Sequence, residues 1–366
     1  MAKRVKMRKK DFLKESVKHI DVKSFDSTEL IEAMKGMSFT ARDTARAADI
    51  LNMMINDNDC TIILCISGSA SAAGCMQIYA DMVKYNMVDV VVATGAAIVD
   101  MDFFEALGFR HYKGSAAVDD KKLRELYIDR IYDTFIDEEQ LQICDNTIKE
   151  IADNLPRKAY SSREFIKEMG KFLADKKKAQ SNKGTKAQSI SVPLSLCASV
   201  PKDSLVRCAY ENEVPIFCPA FSDCSAGFGL AKHQAENLQN HISIDCVKDF
   251  RELTEIKIRA AVSGLFMIGG GVPKNFAQDT VICAEVLGKP MPMHKYAVQI
   301  TVADVRDGGL SSSTLREASS WGKVDTGCEQ MVYAEATSVL PLIVSYVYHK
   351  GDWQNRRKRR WSKIFG

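Results

Sequence analysis

The chain has 366 residues, of which 46% are hydrophobic and 27% are charged. These fractions lie near the average of globular proteins and exclude a collagen-like, coiled-coil or largely disordered chain. The length suits two domains or one large α/β domain. No run of about 18 apolar residues occurs, and the first residues lead into DFLKES rather than an apolar segment. We therefore expect neither a transmembrane helix nor a secretory signal.

The net charge of +3 hides an asymmetry along the chain. Residues 1–10 carry six Lys or Arg and no acid, and residues 350–366 have a net charge of +6, so the body between them is at −9. An acidic body suits a site that attracts cationic substrates. The basic ends could contact nucleic acid, anionic lipid or a neighbouring subunit, or stay solvated. Trp353, Trp361 and Phe365 also allow the C-terminal run to dock, and nothing in the main domain resembles a nucleic-acid-binding module.

The eleven cysteines are an odd number and form no CxxC pair, which favours free thiols over a disulfide framework or a zinc site. Most of them lie in apolar runs such as CTIILC (60–65), as expected of buried thiols in a reducing cytosol. We therefore expect a cytoplasmic protein. Histidines number only six and form no HxxxH pair, so we expect no metal site.

Short apolar runs alternate with amphipathic, helix-like patterns along most of the chain. In chain order the predicted elements are helix 40–56, strand 60–67, helix 71–86, strand 88–94, helices 103–108, 137–154 and 161–178, an exposed loop 179–189, helix 202–213, strands 214–220 and 241–246, helix 247–262, strand 264–270, helix 274–288, strand 296–302 and helix 335–349. Apolar strands that alternate with helices indicate a parallel sheet covered on both faces. We find no repeat and no clear linker, and expect one large α/β domain with peripheral helices.

Three strand-to-helix turns are unusually rich in small residues: SGSASAAG (67–74), ATGAA (93–97) and GGGVPK (269–274). Ligands of open parallel sheets bind at the carboxyl ends of the strands, and small residues let backbone N–H groups approach a phosphate. None of the three is a clean dinucleotide or Walker motif, and tight helix–strand packing explains any one of them. Together they favour a bound dinucleotide.

A second polar segment, VRDGGLSSSTLREASSWGK (305–323), is too long for a tight turn and is typical of a functional loop. It ends in Trp321, Gly322 and Lys323. A lysine beside an aromatic wall can be partly desolvated, which lowers its pKa and makes it a nucleophile for imine chemistry. An ordinary surface lysine is the alternative.

Several segments of the sequence resemble those of a known enzyme family. SWGK (320–323) with the preceding DGG (307–309), together with NMVDVVVATGAA (86–97), PIFCPAFSDCSAG (215–227) and MIGGGVPKN (267–275), resembles segments of deoxyhypusine synthases. The similar segments, which also include ISIDCVKDF (242–250), follow in order over residues 25–350. FFEALGFRHYKG (103–114) is similar to diverged prokaryotic-type members.

The resemblance implies a Rossmann-like fold with bound NAD in a homotetramer, a dimer of dimers whose active sites are shared between paired subunits. Residues 25–350 would form the single NAD-binding domain, flanked by a basic arm (1–24) and a basic tail (351–366). The family oxidises spermidine with NAD, a lysine attacks the resulting imine and expels 1,3-diaminopropane, and the aminobutyl group passes to an acceptor amine before NADH reduces the new imine. The acceptor in the typical family enzyme is a lysine of a translation factor.

Family positions can be carried over residue by residue. Lys323 falls on the imine-forming lysine, and Glu317, Trp321, Asp100 and Asn275 fall on positions of the amine pocket. The positions that contact NAD correspond to Gly68, Ser69, Ala70, Ser71, Thr94, Gly95, Ala96, Asp223, Gly270, Asp307, Gly308, Gly309, Glu335 and Ala336.

The chain also departs from the family pattern. Asn275 replaces a histidine, Phe228 and Leu310 each replace an aspartate, and Glu335 replaces an aspartate while keeping its charge. An amide cannot act as a general base near neutral pH, and an apolar side chain cannot hold an ammonium group. We therefore expect an NAD-dependent aminoalkyl transferase with altered polyamine or diamine substrates.

Other functions remain open on the sequence alone. A small acceptor such as putrescine would give a homospermidine-type product, whereas a protein lysine acceptor would make the chain a deoxyhypusine synthase proper. A catalytically altered NAD-binding regulatory protein is a further alternative. So is an NAD-dependent oxidoreductase or hydrolase that releases free aldehyde.

Overall fold

Six parallel strands form the central sheet of the protein, seen in a computed structural model that describes residues 8–181, 203–260, 262–309 and 311–366. In chain order the strands are β1 (Thr61–Ile66), β2 (Val90–Ala93), β3 (Tyr112–Lys113), β4 (Ile128–Ile131), β5 (Thr134–Asp137), β6 (Ala159–Tyr160), β7 (Ile216–Phe217), β8 (Ser243–Ile244), β9 (Ser263–Ile268), β10 (Tyr296–Thr301) and β11 (Glu329–Tyr333). The central sheet has the spatial order β11-β10-β9-β1-β2-β7. The predicted α/β fold with a parallel sheet is confirmed.

The helices connect and cover these strands. They are α1 (Lys9–Phe12), α2 (Thr28–Met34), α3 (Phe39–Asn56), α4 (Met76–Lys84), α5 (Phe104–Ala106), α6 (Asp120–Glu125), α7 (Glu138–Asp153), α8 (Ser162–Ser181), α9 (Leu205–Asn212), α10 (Ser225–Glu236), α11 (Cys246–Ala260), α12 (Gly271–Gln278), α13 (Thr280–Val286), α14 (Leu315–Ser320) and α15 (Ala336–Lys350). Wider π-helical turns cover Ser71–Cys75 and Ala96–Phe103.

Alternate side chains of the central strands enter two separate hydrophobic cores. In β1, Ile62 and Leu64 face one core, while Ile63 and Cys65 face the other. The first core contains side chains of α3, α4 and α15, and the second contains side chains of α11, α12 and α14. Because both faces are covered, the inner strands β1, β2 and β9 are almost continuously apolar rather than alternating with polar residues.

The order of the strands reverses beside β1. The chain passes from β1 to β2 and later to β7 on one side, and then returns to β9, β10 and β11 on the other side. β1 pairs with both β2 and β9. A crevice therefore opens at the carboxyl ends of β1 and β9, which is where open α/β sheets bind their ligands.

Several element predictions need correction. The apolar strand predicted at 241–246 shrinks to β8, which pairs with β6 in a separate two-stranded sheet. β11 was missed because EQMVY is partly exposed and polar, and its strand character comes from pairing with β10. The antiparallel sheet β3-β5-β4 was also missed.

Two other predicted boundaries differ near the site. The helix predicted over 274–288 is broken at Asp279, which ends α12 and precedes α13. The loop predicted over 305–323 contains α14, which begins with a capping box between Thr314 and Glu317. Most of the predicted loop 179–189 lies outside the described residues. Residues 1–7, Cys197 and Leu310 lie wholly outside them.

The basic C-terminal segment lies against the body of its own chain. The Arg356 guanidinium forms a buried ion pair with the Asp89 carboxylate and donates to the backbone carbonyls of Asn86 and Cys60 at 2.9 and 3.1 Å. The same carboxylate accepts a hydrogen bond from the backbone N–H of Ile62 at 2.8 Å. The segment therefore ties the start of β1 to the residues that precede β2.

Within the described parts of the chain, none of the helices has the length and apolar character needed to cross a membrane. No group of metal-ligating side chains is found among those residues. All the cysteines that the structure describes are free, and most of them are buried.

Removal of the buried guanidinium should destabilise the fold strongly. Arg356→Ala leaves the buried Asp89 carboxylate without its close partner and with only the Arg359 guanidinium, 4.0 Å away, and we expect a loss of about 3 kcal/mol in the free energy of unfolding. Arg357→Ala is the matched control, since its side chain is exposed and should change stability by about 0.5 kcal/mol or less. Urea titration of both variants measures the difference, and equal stabilities would contradict the docked segment.

Candidate active site

The end of α14 places Lys323 in the interior of a cleft. Gly322 has a left-handed φ of 71°, and its N–H donates to the Ser319 carbonyl at 2.9 Å while the Lys323 N–H donates to the Ala318 carbonyl at 3.0 Å. This is the Schellman pattern, in which a glycine just past the helix end reverses the chain. The Trp-Gly-Lys sequence thus turns the lysine inward, and Lys323 is only 8% exposed.

Two polar side chains hold the Lys323 ammonium group. Lys323 Nζ lies 2.6 Å from Asp279 Oδ1 and donates to Asn275 Oδ1 at 3.2 Å. Asn275 Nδ2 donates to the other oxygen, Asp279 Oδ2, at 2.8 Å. The three side chains therefore form a closed ring. Trp321 lies beside it, with its ring centroid 5.3 Å from Nζ, within the range of a cation–π contact.

Asp279 is the site residue that sequence reasoning missed. It lies at the junction of α12 and α13, and its backbone N–H donates to the Asn275 carbonyl at 2.9 Å. The available signal was its position four residues after Asn275, since residues at that spacing share one side of a helical turn. Because the sequence predicts one unbroken helix over 274–288, it gives no sign that this carboxylate lies at a helix end beside Lys323.

A wide, mostly apolar cleft of about 750 Å³ surrounds this ring. Its lining residues are Phe250, Asn275, Asp279, Ile282, Cys283, Val286, Gly309, Ser312, Ser313, Trp321 and Lys323. Apolar walls with few polar groups are typical of a site that binds the hydrocarbon part of a small ligand. Trp321 is 66% exposed at its rim.

A second cleft of about 580 Å³ lies at the carboxyl edge of the sheet, where the strand order reverses. Six predicted cofactor residues line it, namely Gly68, Thr94, Gly95, Asp223, Gly270 and Asp307. Gly68 and Gly271 have left-handed φ values of 72° and 61°, and a Cβ at either would meet no atom within 4 Å. The backbone there is open to a ligand, and the nearby carboxylates could accept hydrogen bonds from ribose hydroxyls. These residues fit a dinucleotide.

The two clefts are connected. A third space of about 400 Å³ shares Gly271 and Val272 with the sheet-edge cleft and shares Asn275 and Asp279 with the lysine cleft. A ligand in one can therefore reach a ligand in the other along the start of α12.

The remaining predicted cofactor residues do not line the sheet-edge cleft. Gly309 lines the lysine cleft. Glu335 caps α15, where its carboxylate accepts from the Thr337 N–H at 2.9 Å. The others occupy the turn after β1, the turn after β2, the 3₁₀ turn after β10 and the start of α15 (Ser69, Ala70, Ser71, Ala96, Gly308 and Ala336). Their contact with NAD stays a prediction.

Two predicted amine-pocket acids are not in contact with Lys323. The Glu317 carboxylate is exposed and accepts from the Thr314 N–H at 2.6 Å as part of the α14 cap. Asp100 lies after β2 and accepts from the Ser225 N–H at 2.7 Å. Burial, together with the nearby Asp145 and Asp223 carboxylates, raises the pKa of Asp100 to about 6. The structure brings together Lys323, Asn275 and Trp321, and leaves the other two apart. Phe228, at one of the lost acidic positions, is 63% exposed.

Lys274 is a second buried lysine beside the site, and the sequence alone predicts no role for it. Its side chain is 1% exposed, and Nζ donates to Gln299 Oε1 at 2.7 Å and contacts the carbonyls of Ser311 and Ser313. Burial lowers the pKa of Lys274 to about 8. Its partners are all neutral oxygens. Two of them belong to the loop before α14, so the buried amine helps to hold that loop in place.

Lys274 should make the protein more stable as the pH becomes alkaline. Its folded-state pKa of about 8 lies below the ordinary value of 10.5. Below pH 8 the ammonium group is charged in both states, so the folded protein bears the whole free-energy cost of burying it. That cost disappears as the pH rises from about 8 toward 10.5, because the unfolded chain then binds more protons than the folded chain. We expect a rise on the order of 2 kcal/mol in the free energy of unfolding from this group, measured by urea titration.

Lys274→Met should remove this part of the rise. Burial also lowers the pKa of Lys257 to about 8, so Lys257→Met is the matched variant and should remove a similar part. An unchanged rise in Lys274→Met would contradict the buried position of its ammonium group.

Comparison with known proteins identifies the family to which the chain is similar. Residues 29–347 match the family model "Deoxyhypusine synthase". A "Deoxyhypusine synthase-like protein" of Coxiella burnetii is 61% identical over 98% of this chain and 96% of its own, and one of Caulobacter vibrioides is 58% identical over 98% and 93%. "Probable deoxyhypusine synthase 2" of Methanosarcina mazei is 36% identical over 94% and 92%.

A solved Entamoeba histolytica structure that carries the deoxyhypusine synthase name has the same fold. It is 19% identical, with a TM-score of 0.55 over 91% of this chain and 97% of that one. The family model and the full-length relatives extend the likeness from the fold to the sequence. This chain therefore belongs to the deoxyhypusine synthase family, a family of transferases.

Proposed function

We propose that the protein is an NAD-dependent aminoalkyl transferase that acts on polyamines or diamines through an imine on Lys323. The observation that carries the proposal is the position of Lys323. Its amine is buried in an apolar cleft that continues into a cleft suited to a dinucleotide. A lysine in such surroundings can form an imine with a carbonyl-like or iminium carbon.

The sheet-edge cleft supports the cofactor part of the proposal. Open backbone at Gly68 and Gly271 would lie against the pyrophosphate, and Asp223 and Asp307 would hold the ribose hydroxyls. NAD, when bound, would accept a hydride from the amine donor and return it to the transferred group. The shared wall at Gly271 and Val272 would keep the two ligands in contact.

The lysine cleft supports the amine part. Phe250, Ile282 and Trp321 would cover the methylene chain of the substrate and exclude water from the reacting carbon. The ring of Trp321 would also face the positive charge of an ammonium or iminium group. The acidic body of the chain would attract such cations from solution.

For the acceptor, we propose a small amine such as putrescine, which would give a homospermidine-type product. The apolar Phe228 at a position where the typical family enzyme has a carboxylate supports a change of amine. A protein lysine is the alternative acceptor, and the wide opening beside Trp321 would admit it. We further propose a cytoplasmic homotetramer, a dimer of dimers, with no nucleic-acid or membrane partner, as the family resemblance implies.

The test is amine transfer by Lys323 variants. Purified protein is incubated with NAD and putrescine, spermidine or agmatine, with and without a hypusine-type translation factor, and products are measured by mass spectrometry. Lys323→Ala and Lys323→Arg should lose transfer by more than about 1,000-fold, while NAD affinity, followed by fluorescence, stays unchanged. Lys289→Arg, at an exposed lysine, is the control and should keep full activity.

Each alternative has its own signature in this experiment. A fully active Lys323→Ala enzyme would refute the imine mechanism. Free aldehyde without a transfer product would indicate an oxidoreductase. Tight NAD binding by the wild-type protein, without reduction of NAD by any amine, would indicate a regulatory NAD-binding protein.

A further inference from the structure

We propose that Asp279 is a catalytic residue: its carboxylate carries the proton between the attacking and departing nitrogens when an aminoalkyl group is transferred to Lys323. The inference deepens the proposed function and rests on it. It assigns acid–base chemistry to a residue outside the carried-over family positions, and it answers how a chain with Asn275 in place of a histidine can move protons.

The geometry places Asp279 at the reacting atom. Its Oδ1 lies 2.6 Å from Lys323 Nζ, a distance at which a proton can pass directly. Its Oδ2 accepts from Asn275 Nδ2 at 2.8 Å, and Asn275 Oδ1 accepts from the same ammonium group at 3.2 Å. Asn275 therefore orients the carboxylate and the amine toward each other. By this contact it is a positioning residue.

Charge balance within the cleft points to the same role. Asp279 is the single acidic side chain among the described residues that line the cleft around Lys323. A cation inside apolar walls needs a counter-ion, because burial of an unpaired charge is costly. The ammonium of Lys323, the iminium of the donor and the iminium on Lys323 each carry one positive charge. The same carboxylate can balance each of them in turn.

Other side chains near Lys323 are poorer candidates for the proton transfer. The Asn275 amide is not basic near neutral pH. The Lys274 amine already donates to Gln299 and to the carbonyls of Ser311 and Ser313, on the buried side of the loop. Cys283 lines the cleft, but Lys323 Nζ contacts Asp279, Asn275 and the Trp321 ring.

The step exchanges one C=N bond for another and needs no oxidant or reductant. As the cationic donor takes over the Asp279 carboxylate as its counter-ion, one ammonium proton of Lys323 leaves to water through the open cleft. The neutral Nζ attacks the donor iminium carbon, a C–N bond forms, and the C=N π electrons move to the donor nitrogen. Asp279 takes one proton from Nζ and gives it to that nitrogen. The old C–N bond breaks with its electron pair on the departing amine, and the Nζ lone pair closes the new iminium.

Asp279→Asn removes the charge and basicity of the carboxylate while keeping the size and shape of the side chain. We expect NAD affinity to be unchanged and the rate of adduct formation on Lys323, trapped with borohydride in a single turnover, to fall about 100- to 10,000-fold. Glu285→Gln is the matched control, because it removes one exposed carboxylate from α13, the helix that begins directly after Asp279. It should react at the wild-type rate.

A chemical rescue distinguishes proton transfer from a structural role. Asp279→Ala opens space beside Nζ, and added formate should restore adduct formation at least about tenfold, in proportion to its concentration. Formate should have no effect on the wild-type protein or on Asp279→Asn, whose amide fills the space. The Asp279→Ala variant also keeps the proposal testable if Asp279→Asn does not fold.

The outcomes separate the two proposals. Wild-type protein that forms an adduct, together with an Asp279→Asn variant that reacts as fast as Glu285→Gln, would overturn the role of Asp279 and leave the proposed function intact. A slow Asp279→Ala variant that formate does not rescue would also overturn it. Wild-type protein that forms no adduct with any amine would overturn both.

Discussion

All six strands of the central sheet run parallel, and this constraint organises the rest of the molecule. Parallel strands require a crossover after each strand, so every carboxyl end meets the same edge and both faces are covered by helices. The reversal of strand order beside β1 then opens a crevice at that edge. The glycine-rich turns after β1 and β9 line this crevice because Gly68 and Gly271 adopt backbone conformations that other residues rarely take.

The second constraint is the cost of a positive charge inside an apolar cleft. Lys323 is turned inward by the end of α14, and its ammonium group is stabilised by Asn275, within α12, and by Asp279, where α12 ends and α13 begins. The same α12 begins at the glycines of the sheet-edge crevice. One short helix therefore joins the two clefts, so the proposed cofactor and Lys323 could act on one substrate.

Much of this arrangement is local in origin and could be predicted from the sequence. The buried strands are continuous apolar runs, and the small-residue turns follow them directly, so the fold class and the crevice could be inferred. The break at Asp279 could not, because an apolar helical pattern continues across it. Nor could the ring around Lys323, since Asn275 lies 48 positions away and only tertiary folding brings them together. β11 escaped prediction because its pairing with β10, rather than its own composition, makes it a strand.

The proposed chemistry is tested most directly by identifying the lysine that becomes covalently modified. Wild-type protein is incubated with NAD and each amine, reduced with borohydride, digested, and mapped by mass spectrometry. An imine on Lys323 should give an NAD-dependent adduct there, whose mass identifies the transferred group, and no adduct on the neighbouring buried Lys274. An adduct on Lys274, or product formation without any adduct on Lys323, would contradict the proposed chemistry.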